Sequence, residues 1–266
     1  MAQLKSSGQA RLTQINRFPV KGLAGERLQA VTLDAGRALP HDRRYALALG
    51  GGAGGDLDGG AWADYRLFHT LKQEEKLAQL GLSYDEAAET LTLLRGGKPV
   101  ARGKATDPVG RSLLNQFFAA FLAGSPRGAP RLVAGRRDAE SAVAFTDAEV
   151  PYLSLLNLAT VADLERVARQ PVDPRRFRAN LWIEGPPAWA EMAWAGRRMT
   201  LGEAVLEGAE PIERCAATTV NPDTAQRDLN VPRLLQAGFG HIFCGFYVRV
   251  VEGGRIAEGD ELVVTD

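Results

Sequence analysis

The sequence predicts a mainly β protein with helices, an α+β chain built as two β-barrel-like domains. Short apolar–polar alternations recur through its first third, as half-buried strands require. Later strand-like runs are interrupted by only a few isolated helical stretches, so the regular strand–helix alternation of a doubly wound sheet is missing. A Gly- and Pro-dense break at residues 123–130 divides a 266-residue chain that is long enough for two domains of ordinary size. The boundaries are therefore set at residues 11–124 and 130–266.

The elements follow in order. Residues 12–15, 28–33, 45–49 and 90–93 alternate apolar and polar side chains and are expected as strands. Residues 50–60 contain seven glycines but lack the Gly-Lys-Ser/Thr ending of a phosphate loop, so a flexible hairpin loop is expected there. After the turn at Gly96 and Gly97, a helix carries Leu113, Leu114, Phe117, Phe118 and Phe121 at helical spacing and closes the first unit. This aromatic stripe is assigned to packing rather than to a cofactor. Past the break, Leu158, Val161, Leu164 and Ala168 mark an amphipathic helix with Asn157 as N-cap and Pro171 beyond its end. Strands are expected at 177–183, 204–206, 243–251 and 261–264, and a short helix at 231–237.

Composition narrows the function. The 32 Lys and Arg balance 32 Asp and Glu, which argues against a general nucleic-acid binder. Residues 1–10 are polar and lack the apolar core of an export signal. Residues 142–164 come nearest to a membrane span but carry Asp147, Glu149 and Asp163. A cytoplasmic protein with no membrane partner is the expectation. Two cysteines, Cys215 and Cys244, are too few for a disulfide framework and for an iron–sulfur cluster. His41, His69 and His241 show no metal-ligand spacing, and no Gly-x-Ser-x-Gly elbow supports a hydrolase.

The most informative segment is 213–224, where Cys215 stands beside Arg214 and is followed by Thr218, Thr219 and a Pro222-Asp223 turn. Neighbouring positive charge favours the thiolate, which attacks electrophiles or binds a soft metal. By itself an intracellular cysteine is more often a small buried hydrophobe, the reading given to Cys244 in its apolar run.

The run Arg-Cys-x-x-Thr-Thr-Val-x-Pro-x-Thr from Arg214 resembles the cysteine motif of MOSC domains, which occur in molybdenum cofactor sulfurases and in the amidoxime-reducing component family. The earlier runs Phe18-Pro19-Val20-Lys21-Gly22, Leu33-Asp34-Ala35-Gly36 and Asp42-Arg43-Arg44-Tyr45 resemble the MOSC N-terminal β-barrel domain, MOSC_N. The resemblance runs from about Arg11 to Val264. It implies a MOSC_N barrel followed by a MOSC barrel. It also implies a molybdenum cofactor, Mo-molybdopterin, with Cys215 as metal ligand and catalytic residue. Lys21, Arg43 and Arg178 match basic positions that cradle the pterin and its phosphate, and Arg214 joins them. Asp147, in Phe145-Thr146-Asp147, and Tyr247, in Gly245-Phe246-Tyr247, are softer matches; for Tyr247 a core aromatic is the equal alternative. The sequence departs from the family at Gly22, where a serine is usual, at Ala179, where a proline is usual, and at Glu213, where a small residue is usual.

The activity implied is reduction of small N-hydroxylated compounds such as amidoximes and hydroxylamines. Electrons would come from a separate ferredoxin or cytochrome b5-like carrier and its reductase. The competing reading makes Cys215 a persulfide-bearing sulfur carrier in cofactor or metal–sulfur cluster assembly.

Overall fold

A computed structural model describes residues 10–50, 57–59, 62–135 and 145–265. The export-signal region, most of the glycine-rich loop and the start of the apolar run at 142–164 lie outside them. The first half contains β1 (Ala10–Arg17), β2 (Glu26–Leu28), β3 (Ala30–Leu33), β4 (Tyr45–Ala48), β5 (Leu80–Asp85), β6 (Thr90–Arg95), β7 (Lys98–Lys104), α1 (Pro108–Phe121) and β8 (Arg131–Ala134). The second contains β9 (Leu153–Asn157), α2 (Leu158–Ala168), β10 (Leu181–Glu184), β11 (Arg198–Leu201), β12 (Ala204–Glu213), α3 (Val231–Phe239), β13 (Phe243–Glu252), β14 (Gly254–Ala257) and β15 (Glu261–Val264).

Seven strands close into a barrel in the order β10, β9, β13, β12, β11, β15, β1, with β1 pairing back onto β10 and β2 appended to β1. Closure removes the unpaired edges that an open sheet would expose. One stave comes from the far end of the chain: β1 lies antiparallel to β10, with Ile15 opposite Leu181, and also to β15, with Arg11 opposite Glu261. Leu12 and Ile15 accordingly sit in one fully buried core with Leu155, Leu181, Leu206, Phe246 and Val248. The strands β1 and β2, which precede the break at 123–130, are thus staves of the same sheet as β9 to β13.

The remainder of the first half is a smaller unit. The β5–β6–β7 meander and the β4–β8 pair enclose a second core of Tyr45, Leu47, Leu77, Leu80, Leu91 and Leu93 under Leu114 and Phe118 of α1. The packing expected of the α1 stripe holds for Leu114 and Phe118, whereas Leu113 is 52% exposed. A one-residue step along a helix turns the side chain by about 100°, which separates Leu113 from Leu114.

Local signals place the helices. Asp107 caps α1 by accepting from the Gly110 amide, with Pro108 at the first helical position. Asn157 caps α2 by accepting from the Ala159 amide, as its sequence position predicts. The expected strand at 177–183 is corrected. Pro174–Phe177 forms a 3-10 turn capped by Asp173, Arg178 follows with a left-handed backbone, and only Leu181–Glu184 is extended. No helix among the described residues is long and apolar enough to cross a membrane.

Candidate cofactor site

The seven residues singled out from the sequence come from six separate segments. Lys21 leaves the turn after β1, Arg43 precedes β4, Asp147 precedes β9 and Arg178 precedes β10. Arg214 and Cys215 follow β12, and Tyr247 lies on β13. The Lys21 ammonium donates to the carbonyl of Phe145 at 2.9 Å and to the Asp147 carboxylate. Arg43 donates one nitrogen to Asp42 and another to the carbonyl of Arg178 at 2.9 Å. The Arg178 guanidinium donates to the Leu23 carbonyl. Both guanidiniums lie over the Phe18 ring, at 4.6 Å for Arg43 and 4.5 Å for Arg178. An aromatic face of this kind attracts a cation while leaving its N–H edge available.

Both arginines have positive φ, 47° for Arg43 and 52° for Arg178. That region costs an L-residue about 1–2 kcal/mol and persists where surrounding bonds over-determine it. Here the Arg43 amide donates to Phe18 at 2.7 Å and its carbonyl accepts from Phe145 at 2.8 Å. Behind Arg178, Asn180 donates its side-chain nitrogen to Asn16 at 3.1 Å and accepts from Ser154 at 2.8 Å. Barrel strands therefore fix where Arg178 leaves the sheet.

Arg214 is buried and lies 5.2 Å over the Phe177 ring. It donates to the carbonyls of Cys244 and Phe177. Gly245, with φ of 80°, makes its room: a Cβ there would stand 2.7 Å from the Arg214 Nη2 and 2.7 Å from the Leu155 carbonyl. Tyr247 is half-buried and stacks on Tyr152 at 5.3 Å between ring centres.

The charges act on one another. The protein around the Asp147 carboxyl works to raise it even though the side chain is 71% exposed, but Lys21, by charge and hydrogen bond, and Arg43 and Arg178, by charge, outweigh this and hold it at about 2. Burial, with Arg43 alongside, pulls Arg178 down to about 9 against Asp147 and Asp42. Burial also lowers Arg214, against the charges of Cys244, Tyr247, Cys215 and Asp147. Burial and the Asp147 charge raise the Tyr247 phenol. Tyr247 thus lies within the field of the cluster.

Four cations, Lys21, Arg43, Arg178 and Arg214, gather here, with the Asp147 carboxylate bonded to Lys21 and the Asp42 carboxylate bonded to Arg43. Within the cluster, Arg178 Nη2 and Arg214 Nη2 are buried with no hydrogen-bond partner among the described residues, as are nitrogens of Arg44, Arg127 and Arg176 elsewhere. Unpartnered buried donors cost about 1–3 kcal/mol each, more when charged, so they mark places shaped for an acceptor. The Cys215 thiol is exposed at the start of a 3-10 turn, Ala216–Thr219. Cys244 is fully buried, as expected, and burial pushes its thiol up to about 12.

A family model described as "MOSC domain" matches residues 145–263, and one described as "MOSC N-terminal beta barrel domain" matches residues 9–122. The chain carries a MOSC N-terminal β-barrel domain followed by a MOSC domain. Mitochondrial amidoxime-reducing component 1 of Mus musculus is 34% identical over 90 residues, 34% of this chain and 25% of that protein. The protein of the same name from Homo sapiens is 34% identical over 82 residues, 31% of this chain and 23% of that protein. The match thus spans about a quarter of the length of these curated relatives. Among solved structures, the YUAD protein from Bacillus subtilis is 12% identical with a TM-score of 0.44, covering 96% of this chain and 94% of that one. YiiM from Geobacillus stearothermophilus is 20% identical with a TM-score of 0.35, covering 43% of this chain and 54% of that one.

Two departures from the MOSC pattern have a structural context. Gly22 adopts φ of 87°, and a Cβ there would meet His69, Thr70 and Leu77 at 3.3 Å, so a serine would be strained in this turn. Glu213 is exposed at the end of β12, next to buried Arg214. Sequence reasoning missed Phe18 as the ring beneath two arginines, and Arg227 and Arg176 as partners of the Cys215 turn. Phe18 lies inside a recognised motif and carried a signal; Arg227 and Arg176 have no local one.

Proposed function

We propose that this MOSC protein holds a pyranopterin molybdenum cofactor and reduces N-hydroxylated compounds such as amidoximes and hydroxylamines. The observation that carries the reading is the pair of unpartnered guanidinium donors, on Arg178 and Arg214, inside a cluster of four cations. A phosphorylated, oxygen-rich ligand supplies the matching acceptors and charge. The cysteine motif supplies a soft thiolate for a metal. The likeness to proteins named for amidoxime reduction points the same way.

In this reading Arg43, Arg178 and Arg214 present planar forks to the phosphate and pterin oxygens, and Lys21 adds a point charge. Asp147 keeps the Lys21 ammonium oriented through its hydrogen bond. Tyr247 offers a hydroxyl that remains protonated at neutral pH, because burial and Asp147 raise it. Cys215 holds the metal through sulfur. When bound, the cofactor supplies two-electron reduction of an N–O bond; the chain supplies binding and orientation. Electrons arrive from a separate ferredoxin or cytochrome b5-like carrier with its reductase.

Metal and pterin analysis of protein from a molybdenum-replete host, beside Cys215→Ala, tests the reading. One cofactor per wild-type chain, none retained in the variant, and benzamidoxime reduction with an artificial electron donor by wild type alone are expected. Normal turnover in Cys215→Ala would sink it. The exposure of the Cys215 thiol favours one second reading, sulfur carriage. A persulfide on Cys215 in protein that binds no molybdenum would select that reading instead.

A further inference from the structure

Outside the cation cluster, one exposed-edge arginine makes an unusual set of bonds. Arg227 Nη1 donates to the Ala216 carbonyl at 2.9 Å and to the Thr219 hydroxyl at 2.8 Å. Its Nη2 donates to the carbonyls of Leu71 at 2.9 Å and Lys72 at 3.1 Å, and lies 3.3 Å from the Glu75 carboxylate. One guanidinium therefore grips the turn that starts at Cys215 and a segment of the first half about 150 positions away. Lysine, with a single nitrogen, cannot make this divergent set of bonds.

The two gripped segments each adjoin the candidate site. On one side the turn Ala216–Thr219 begins at Cys215 and is closed by the Thr218 amide and hydroxyl on the Cys215 carbonyl. On the other, the backbone of His69 and Thr70 lies against Gly22, the neighbour of Lys21. Val220, just past the turn, is buried in the core of the first half and bridges to Arg227. Arg176 also holds the turn, donating to the Thr219 carbonyl at 3.2 Å and pairing with Asp228, but all of these residues belong to the second half. Among the arginine contacts to the Cys215 turn within the described residues, those of Arg227 are the ones that cross between halves.

We propose that Arg227 is a positioning residue that locks the Cys215 turn to the segment at residues 69–75, and so sets the thiol in register with the Lys21 side of the site. It touches no reacting group; it acts through the backbone of the turn. The proposal rests on the functional reading only for what the alignment serves, since the bonds themselves are independent of any cofactor.

The test compares wild type, Arg227→Ala, Arg227→Lys and, as a control, Arg233→Ala on the exposed face of α3. Amide hydrogen exchange on the cofactor-free protein should become at least about tenfold faster at residues 216–220 in Arg227→Ala, by loss of roughly 1.4 kcal/mol or more of local protection. Arg227→Lys should recover only part of it, and Arg233→Ala should match wild type. Exchange at 216–220 unchanged in Arg227→Ala overturns the clamp. If wild type carries molybdenum, its release should be several-fold faster from Arg227→Ala at an unchanged melting temperature. Equal release rates would overturn the positioning role. A wild type without molybdenum counts against the proposed function and leaves the exchange comparison to decide the clamp.

Discussion

Arg43 and Arg178 sit in left-handed backbone over one phenylalanine ring, and Arg178 keeps one buried guanidinium nitrogen without an acceptor among the described residues. Such strain is held where the residue's position matters more than its comfort. Asp147 is the counterweight to these charges. Its carboxyl titrates near 2, below the ordinary 3.8, so the stability it contributes is present above about pH 4 and is lost as pH falls through 2. Asp147→Asn should therefore lower stability at pH 5 to 7 and converge with wild type near pH 2. The side chain is 71% exposed, so solvent screening reduces the expected difference to about 1 kcal/mol. Melting curves across this range check it; a constant gap at every pH would contradict the assignment. At this scale the sequence was legible where residues sit within a motif, as with Lys21, Arg43 and Cys215. Arg227 was not, because its partners, Leu71 and Lys72, are brought to it only by folding.

Elements were legible where their signals are local. The Asn157 cap and the spacing of Val161 and Leu164 mark α2 without reference to the rest of the chain. The run at 177–183 misleads because its apolar character belongs to two structures, the Phe177 end of a 3-10 turn and the strand β10. The strand β9 is buried at all five positions, so no alternation announced it. Where α2 begins, its first turn is fastened by a fully buried carboxyl: Glu191 accepts from Asn157 at 2.9 Å and from Thr160 at 2.7 Å. Burial raises this carboxyl above its ordinary 4.5, against those two bonds. A raised folded value means stability present below pH 4.5 that declines as pH rises through the folded value. Glu191→Gln cannot titrate, so its stability should fall less than that of wild type between pH 5 and 8. Urea unfolding at both ends of the range measures this, and parallel declines would refute it.

For the whole molecule, closure of the barrel is the decisive event. Residues 10–17 fill the gap between β10 and β15, and their Leu12 and Ile15 complete the apolar interior. A fragment of residues 130–266 would lack that stave and expose two strand edges and an apolar core. It should bind a hydrophobic dye and melt without a cooperative transition, whereas the full chain should melt sharply. A sharp transition in the fragment would show that the stave is dispensable.

From the sequence alone came the mainly β class, the helices with the Asn157 cap of α2, and the identity of the residues bearing charge and sulfur. These are properties of residue type and short-range spacing, which a linear chain displays directly. Tertiary structure alone decided that Arg43 meets Arg178 across 135 positions, and that Lys21 reaches Phe145 across 124. It also decided that β1 closes a barrel built mostly from the other half. Such pairings depend on long-range loop closure and on which surfaces bury together, and no local pattern encodes either.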